Sequence, residues 1–179
     1  MVVDTSALIA VLLGEPEAEE VAALLERSIV VVPAPTLVET GIVAESRLGP
    51  DGVLDLQALL EEAEVAVEPF TEGDARAALD AWRRFGKGRH PAGLNLGDCF
   101  AYAVAARRGD SLLFVGNDFA RTDARPALTA SRSQARQSDG SGQPVSGSSQ
   151  RCIPVAAEPS VVGGEDQAVL GVWRGRRSG

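Results

Sequence analysis

Short apolar runs alternate along residues 1–128 with longer segments in which apolar positions recur every three to four residues. The short runs are bounded by Gly, Pro or Asp, and most are rich in β-branched residues, a pattern typical of buried strands. They are Met1 to Val3, Ile29 to Val32, Val65 to Val67 and Leu112 to Val115. Strands that alternate with helices predict an α/β fold with a mostly parallel sheet, covered by helices on both faces.

The longer segments have helical periodicity and recognisable helix ends. Thr36 and Thr71 are predicted N-caps, and Gly14 and Gly109 are suited to end a helix. The predicted helices cover about residues 6–13, 15–27, 37–48, 52–63, 72–85 and 96–108.

The composition changes near Ala130. Residues 131–150 are almost entirely Ser, Gly, Gln, Arg and Ala, which cannot bury enough apolar surface to offset the entropy of ordering. We therefore predict one folded domain over residues 1–130. Residues 131–179 are predicted to be a disordered, low-complexity tail with no chemical role.

The two cysteines, Cys99 and Cys152, form neither a disulfide framework nor a zinc-binding pattern. The first residues lack the basic and apolar regions of a signal peptide, and no apolar run approaches the roughly 20 residues that span a membrane. These features predict a cytoplasmic protein that does not contact membranes.

The charge of the chain argues against simple electrostatic binding of nucleic acid. Residues 1–130 hold 11 Lys and Arg against 21 Asp and Glu, so the predicted domain carries a net charge of −10. Phosphate backbones favour Lys and Arg. A nucleic-acid-binding function would therefore need bound cations, which reverse the local sign of an acidic site.

Four acidic residues fall just after a predicted strand or near the start of a predicted helix. They are Asp4, Glu39, Asp98 and Asp118. Each has an ordinary structural explanation, as a helix cap, a charge near a helix N-terminus or a turn residue. Together they occupy one rim of an α/β sheet, where ligands of open parallel sheets bind.

Several converging carboxylates are suited to hold hard divalent cations, which ready a water for in-line attack on a phosphodiester. The only histidine is His90, so a mechanism that needs two histidines is excluded. A haloacid-dehalogenase-type phosphatase would need a second Asp two positions after Asp4, where this chain has Ser6.

Four segments, in this order, resemble the PIN-domain family and, within it, the VapC toxins of bacterial toxin–antitoxin pairs. The resemblance covers about residues 1–128. The segments are Val2 to Leu8, the helix with Thr40 after Glu39, Gly86 to Tyr102, and Leu112 to Phe119 with Thr122 and Asp123.

The resemblance implies a three-layer αβα fold and an Mg²⁺- or Mn²⁺-dependent endoribonuclease that leaves 5′-phosphate and 3′-hydroxyl ends. It also implies a VapB-type antitoxin partner that blocks the site, and a homodimer. Asp4, Asp98 and Asp118 would hold the metal, and Glu39 would bind metal or orient the attacking water.

The resemblance leaves some roles open. Asn117 stands where some relatives carry an acid, and Asp123 competes with Asp118 for the fourth acidic role. Thr5, Ser6 and Thr122 are candidates to orient ligands or waters, and Lys87 and Arg89 are candidates to grip RNA phosphates. The non-enzymatic alternative is a PIN-like module that binds an antitoxin or RNA without cutting.

Overall fold

The computed structural model of the protein describes residues 1–128, and the predicted tail at 131–179 lies outside them. The four strands are β1 (Val2–Val3), β2 (Val31–Pro33), β3 (Ala66–Glu68) and β4 (Leu112–Leu113). The six helices are α1 (Thr5–Leu13), α2 (Ala18–Glu26), α3 (Ala34–Leu48), α4 (Pro50–Glu62), α5 (Glu72–Phe85) and α6 (Leu96–Arg108). A short 3-10 helix (Phe119–Arg121) follows β4.

The four strands form one parallel sheet in the order β3-β2-β1-β4. Val2 of β1 lies opposite Val31 on one side and Leu112 on the other. These three side chains share one hydrophobic core, whereas the next residues, Val3, Val32 and Leu113, share a second. Alternate residues of β1, β2 and β4 therefore point to opposite faces, and both faces of these three strands are buried. The edge strand β3 differs, since its Ala66 and Val67 are exposed.

Helices cover both faces and make three layers. Helices α5 and α6 supply Phe85, Tyr102 and Val104 to the first core, and α1, α2 and α4 supply Leu8, Leu25 and Leu56 to the second. The predicted α/β class and the αβα layering are thus confirmed. Within residues 1–128, no helix combines the length and apolar character needed to cross a membrane.

Most helix ends lie where the sequence predicts them, with one clear error. Gly14 and Gly109 adopt left-handed conformations at the ends of α1 and α6, and Thr71 caps α5. Thr36 is not an N-cap: α3 begins at Ala34 and Thr36 is buried inside it. A proline in the first turn of α3 has no amide hydrogen to satisfy, so this helix can start without a capping side chain.

The packing of α1 on the sheet can be tested with two leucines. Leu8 is fully buried, and Leu54 of α4 is 62% exposed. Leu8→Ala should lower the free energy of unfolding in urea by about 2–5 kcal/mol, because it leaves a cavity beneath the sheet. Leu54→Ala should change it by less than about 0.5 kcal/mol. Equal losses from the two variants would contradict this packing.

Candidate metal centre

Asp4 follows β1 at the carboxyl edge of the sheet and is the N-cap of α1. Its Oδ2 accepts hydrogen bonds from the Ser6 amide (3.0 Å) and the Ser6 hydroxyl (2.7 Å). Its Oδ1 is buried and has no hydrogen-bond partner within residues 1–128. The side chain therefore serves as a helix cap with one oxygen and leaves the other free for a ligand.

Ser6 links Asp4 to the end of the neighbouring strand. Its Oγ donates to Asp4 Oδ2 and accepts from the Val115 amide, two residues beyond β4, at 3.2 Å. The Asp4 amide donates to the Leu113 carbonyl at 2.9 Å. Asp4, which directly follows β1, is thus also held by hydrogen bonds to β4 and to the segment after it.

Glu39 lies in the second turn of α3 and is half-buried. The Thr5 hydroxyl donates to Glu39 Oε2 at 3.0 Å. The hydroxyl of Thr40, which is fully buried, lies 3.1 Å from Thr5 Oγ1 and 2.8 Å from the Thr36 carbonyl oxygen. Thr5 therefore joins the segment after β1 to the carboxylate of α3.

Asp98 is held in a capping box at the start of α6. Its carboxylate accepts from the Asn95 amide at 2.7 Å, and its own amide donates to Asn95 Oδ1 at 3.0 Å. The side chain is only 9% exposed. The neighbouring Gly97 lies against Glu39, since a Cβ built on Gly97 would collide with both Glu39 carboxylate oxygens. Helices α3 and α6 thus bring Glu39 beside Asp98.

Asp118 and Asp123, the two candidates for the fourth acidic role, lie in the segment after β4 and differ in their contacts. Asp118 is exposed, precedes the 3-10 helix, and follows the exposed Asn117. Asp123 instead accepts from Arg84 (2.6 Å) and from the Tyr102 hydroxyl (2.5 Å), which lower its pKa. Thr122 donates to the Phe119 carbonyl and accepts from the Ala124 amide, so its hydroxyl closes a turn. Asp123 and Thr122 are therefore engaged away from the other acids.

Electrostatic coupling joins the four remaining carboxylates. Burial raises the pKa of Asp98 to about 6, opposed by a hydrogen bond from the Asn95 amide and helped by the charges of Asp4, Asp118 and Glu39. Burial also raises the pKa of Asp4, with a smaller contribution from Asp118. The pKa of Glu39 is raised by burial and by the charge of Asp4. The four acids thus converge and repel one another.

A cation would relieve this repulsion. The buried free oxygen of Asp4 and the purely oxygen donor set suit a hard divalent ion. No three Asp, Glu, His or Cys side chains in the described part of the chain are arranged as a ready-made ligand set. Mg²⁺ keeps several waters and binds through one or two carboxylates, so carboxylates that do not form a complete ligand set can still hold it partly through water.

A basic loop, residues 86–94, lies between α5 and α6. Two backbone hydrogen bonds close its neck, from the Lys87 amide to the Leu94 carbonyl and from the Leu94 amide to the Phe85 carbonyl. The exposed Arg89 guanidinium stacks 4.1 Å above the centre of the Trp82 ring. Within residues 1–128, neither Lys87 nor Arg89 has a carboxylate partner.

The basic loop is also joined to the segment that carries Asp118. Arg121 of the 3-10 helix donates to the Pro91 carbonyl at 3.1 Å. The loop ends one residue before Asn95, the cap of α6 that binds Asp98. Among the described residues, two cations without a carboxylate partner are therefore presented on a loop that is anchored to two of the acidic segments.

Sequence reasoning missed two residues that shape the site, Gly97 and the Thr40 hydroxyl. A glycine in the first turn of a helix costs stability relative to alanine, which signals a close approach that only glycine allows. Gly97, directly before Asp98, carries that signal. The partner that requires it, Glu39, is distant in sequence and could not be identified in advance.

Comparisons with known proteins identify a family and close relatives. The PIN domain family model matches residues 1–125. Ribonuclease VapC of Mycolicibacterium smegmatis is 48% identical over 128 residues, which cover 69% of this chain and 96% of that protein. Ribonuclease VapC28 of Mycobacterium tuberculosis is 47% identical over 130 residues, which cover 72% and 98% of the two chains.

The fold is also found among solved structures. The crystal structure of VapC20 of Mycobacterium tuberculosis, described as a sarcin-ricin loop cleaving toxin, aligns with a TM-score of 0.56 at 20% identity. The alignment covers 70% of this chain and 98% of that one.

The coupling among the acids predicts an effect of pH on stability. The folded pKa of Asp98, about 6, lies above its ordinary value of 3.8. The folded state therefore binds more protons at Asp98 between these values, and the contribution of Asp98 to stability should fall as the pH rises from about 4 to about 6. In chelator at pH 7.5, Asp98→Asn should raise the free energy of unfolding by roughly 1–3 kcal/mol. This gain should disappear near pH 4.

Asp123→Asn is the matched control, with the opposite sign. Tyr102 and Arg84 lower the pKa of Asp123, so its carboxylate stabilises the fold at pH 7.5 and the amide should be less stable there. Urea unfolding across this pH range gives both results. If Asp98→Asn instead lowers the free energy of unfolding at pH 7.5, the charge of Asp98 is already compensated in the folded protein.

Proposed function

The chain belongs to the PIN-domain family, and from this premise we propose that it is a metal-dependent endoribonuclease, the toxin of a VapBC-type toxin–antitoxin pair. Two relatives named as VapC ribonucleases are nearly half identical to it over almost their whole length. The observation that carries the proposal is the convergence of Asp4, Glu39, Asp98 and Asp118 from four separate segments.

Asp4, Asp98 and Asp118 would hold Mg²⁺ or Mn²⁺, directly or through water. The free Oδ1 of Asp4 is the strongest support for this assignment, because a buried carboxylate oxygen without a partner is costly. A divalent ion, when bound, would supply positive charge to the scissile phosphate and lower the pKa of a coordinated water.

The chain's own residues would set the geometry of hydrolysis. Glu39 would orient the attacking water, with Thr5 fixing its Oε2. The water oxygen forms a bond to phosphorus, and the bond between phosphorus and the 3′ oxygen breaks. Overall, the proton that the attacking water loses is balanced by the proton that the 3′ oxygen gains as it becomes a hydroxyl, and the phosphate remains on the 5′ end of the other fragment.

Lys87 and Arg89 would bind RNA phosphates beside this site. They lack carboxylate partners within the described residues and lie on the loop that precedes α6. In a domain with a net charge of −10, unpaired cations next to the acidic cluster give phosphates a local place to bind. This arrangement would orient the RNA backbone across the carboxylates.

Membership of the VapC group supports a VapB-type antitoxin as protein partner and a homodimer as the assembly. The antitoxin would act by covering the carboxylate cluster and excluding RNA. A cytoplasmic location stays a prediction from the sequence.

The nuclease activity is tested by cleavage of a panel of structured RNAs by the full chain, with Mg²⁺ or Mn²⁺ and with chelator. Cutting should require metal and should fall by about a hundredfold or more in Asp98→Asn, because this change removes a metal-binding charge but keeps the helix cap. Asp110→Asn is the control: this acid pairs with Arg108 at the end of α6, and its loss should leave cleavage within about twofold of wild type.

If the folded protein binds RNA but cuts none with either metal, the inactive PIN-like module would replace the nuclease. Sequencing of the cleaved ends distinguishes the proposed hydrolysis from other chemistry. Ends carrying 2′,3′-cyclic phosphate would exclude attack by water.

The phosphate-binding role of the basic loop predicts a change in KM. Lys87→Ala or Arg89→Ala should raise KM severalfold at unchanged kcat, and should reduce the slope of log affinity against log salt by about one. Arg76→Ala is the control, because Arg76 is exposed on α5 and paired with Glu72. An unchanged salt dependence in both loop variants would contradict phosphate binding there.

A further inference from the structure

We propose that Gly97 and Thr40 are positioning residues for Glu39: the bare backbone of Gly97 and the hydroxyls of Thr40 and Thr5 form a socket that fixes its carboxylate beside Asp98. This inference rests on the proposed nuclease function. It adds to that function two residues that act through Glu39: Gly97 by having no side chain, and Thr40 through its hydroxyl.

Gly97 forms the wall of the socket. A Cβ at this position would collide with both oxygens and the Cδ of Glu39, so any residue other than glycine would displace the carboxylate. The backbone of Gly97 is ordinary α-helix, the second residue of α6, and alanine would be favoured there by about 1 kcal/mol. Glycine therefore leaves space here for the Glu39 carboxylate, which a side chain would push aside, and does not serve to provide backbone freedom.

The hydroxyls of Thr5 and Thr40 form the other side of the socket, which we call its floor. The Thr5 hydroxyl has one hydrogen, which it donates to Glu39 Oε2. The single hydrogen of Thr40 has two acceptors within reach, Thr5 Oγ1 at 3.1 Å and the Thr36 carbonyl oxygen at 2.8 Å. Because the Thr5 hydrogen points to Glu39, the Thr40 hydrogen must lie between the two hydroxyl oxygens, and it is shared with the Thr36 carbonyl as a three-centre hydrogen bond. Thr40 is fully buried in α3, so it can fix the rotamer of Thr5 without touching RNA or metal.

The surroundings explain why Glu39 needs such a socket. It lines an apolar groove of about 550 Å³ between α3 and α6, with the exposed side chains of Val38, Ile42 and Leu96 around it. These neighbours offer the carboxylate no polar contact, and a glutamate has three free torsions. Without the socket, the charged group would turn toward solvent and away from the acids.

The socket also sets the spacing between two acids. Gly97 is bonded to Asp98, so the contact between Gly97 and Glu39 fixes one carboxylate relative to the other. Small errors in such spacing are costly, because reacting groups must be held in a near-attack geometry. A methyl group on Gly97 would therefore disturb the site while leaving every carboxylate in the sequence.

A double-mutant cycle between Gly97→Ala and Glu39→Ala tests the wall. Gly97→Ala should lower kcat by tenfold or more, with KM within about twofold of wild type. The Gly97→Ala/Glu39→Ala double variant should be no slower than Glu39→Ala alone, because the added methyl then has room. Independent, multiplicative losses would overturn the proposal.

Gly73→Ala is the matched control. Gly73 is also the second residue of a helix with a capping box, directly before Asp74, and a Cβ there would lie at an ordinary 3.6 Å from Thr71 Oγ1. Gly73→Ala should leave kcat unchanged and keep or raise Tm. A loss of kcat equal to that of Gly97→Ala would mean that glycine in a first turn matters only for the helix.

Thr40→Val and Thr40→Ser test the floor. The valine removes the hydroxyl at nearly constant volume and should lower kcat roughly threefold to tenfold, the effect of one hydrogen bond. The serine keeps the hydroxyl and should restore most of that loss. If the two variants are equally impaired, the hydroxyl has no positioning role.

Two readouts without RNA separate this proposal from the nuclease itself. In chelator, Gly97→Ala should leave Tm within about two degrees of the wild-type value, because the methyl group displaces only the end of a flexible side chain. Titration with Mn²⁺, followed by electron paramagnetic resonance, should show weaker binding for Gly97→Ala than for Gly73→Ala. If the wild type cuts no RNA, the nuclease proposal fails, and these two measurements still decide the socket. Unchanged Mn²⁺ binding, or a large fall in Tm that Glu39→Ala does not restore, would overturn it.

Discussion

Four like charges are held close together at the carboxyl edge of the sheet, and their repulsion is the constraint that the surrounding structure must satisfy. Burial and mutual repulsion raise the pKa of Asp98 to about 6 and also raise those of Asp4 and Glu39. Such an arrangement opposes folding unless other interactions compensate for it. The parallel sheet, packed on both faces, supplies the rigid frame, because its strand ends cannot move apart without opening a core.

The same side chains cap helices and carry the candidate site. Asp4 caps α1 with one oxygen, and Asp98 completes a capping box at α6. These contacts hold each carboxylate in one rotamer, and the backbone amides that donate to the carboxylate stabilise its charge. The structural and functional explanations of these residues are therefore not exclusive. The cap is the means by which the carboxylate is held in place.

An acidic nuclease must attract RNA despite its net charge. The described residues meet this need locally, with Lys87 and Arg89 on a loop tied to both the Asp98 and the Asp118 segments. Several other arginines instead pair with carboxylates, as Arg84 does with Asp123 and Arg107 with Asp74 and Glu68. Cations held by the carboxylate cluster would add to the attraction that Lys87 and Arg89 provide.

Local sequence determined the elements and the rim on which the acids lie. Apolar runs, helical periodicity, Gly14, Gly109 and Thr71 are read over a few residues, and helix formation and capping depend on the same few residues. Membership of the PIN-domain family could likewise be predicted from the segments around Asp4 and Asp98.

Tertiary structure decided how distant residues meet. Thr36 proved to be a buried residue inside α3, which begins before it at Ala34. Asp123 accepts hydrogen bonds from Arg84, which lies 39 residues earlier, and from Tyr102, which lies 21 residues earlier. The contact of Gly97 with Glu39 and the link from Thr40 through Thr5 exist only because α3, α6 and the end of β1 pack together. Such contacts depend on which side-chain volumes fit between helices far apart in sequence, and no local pattern records that fit.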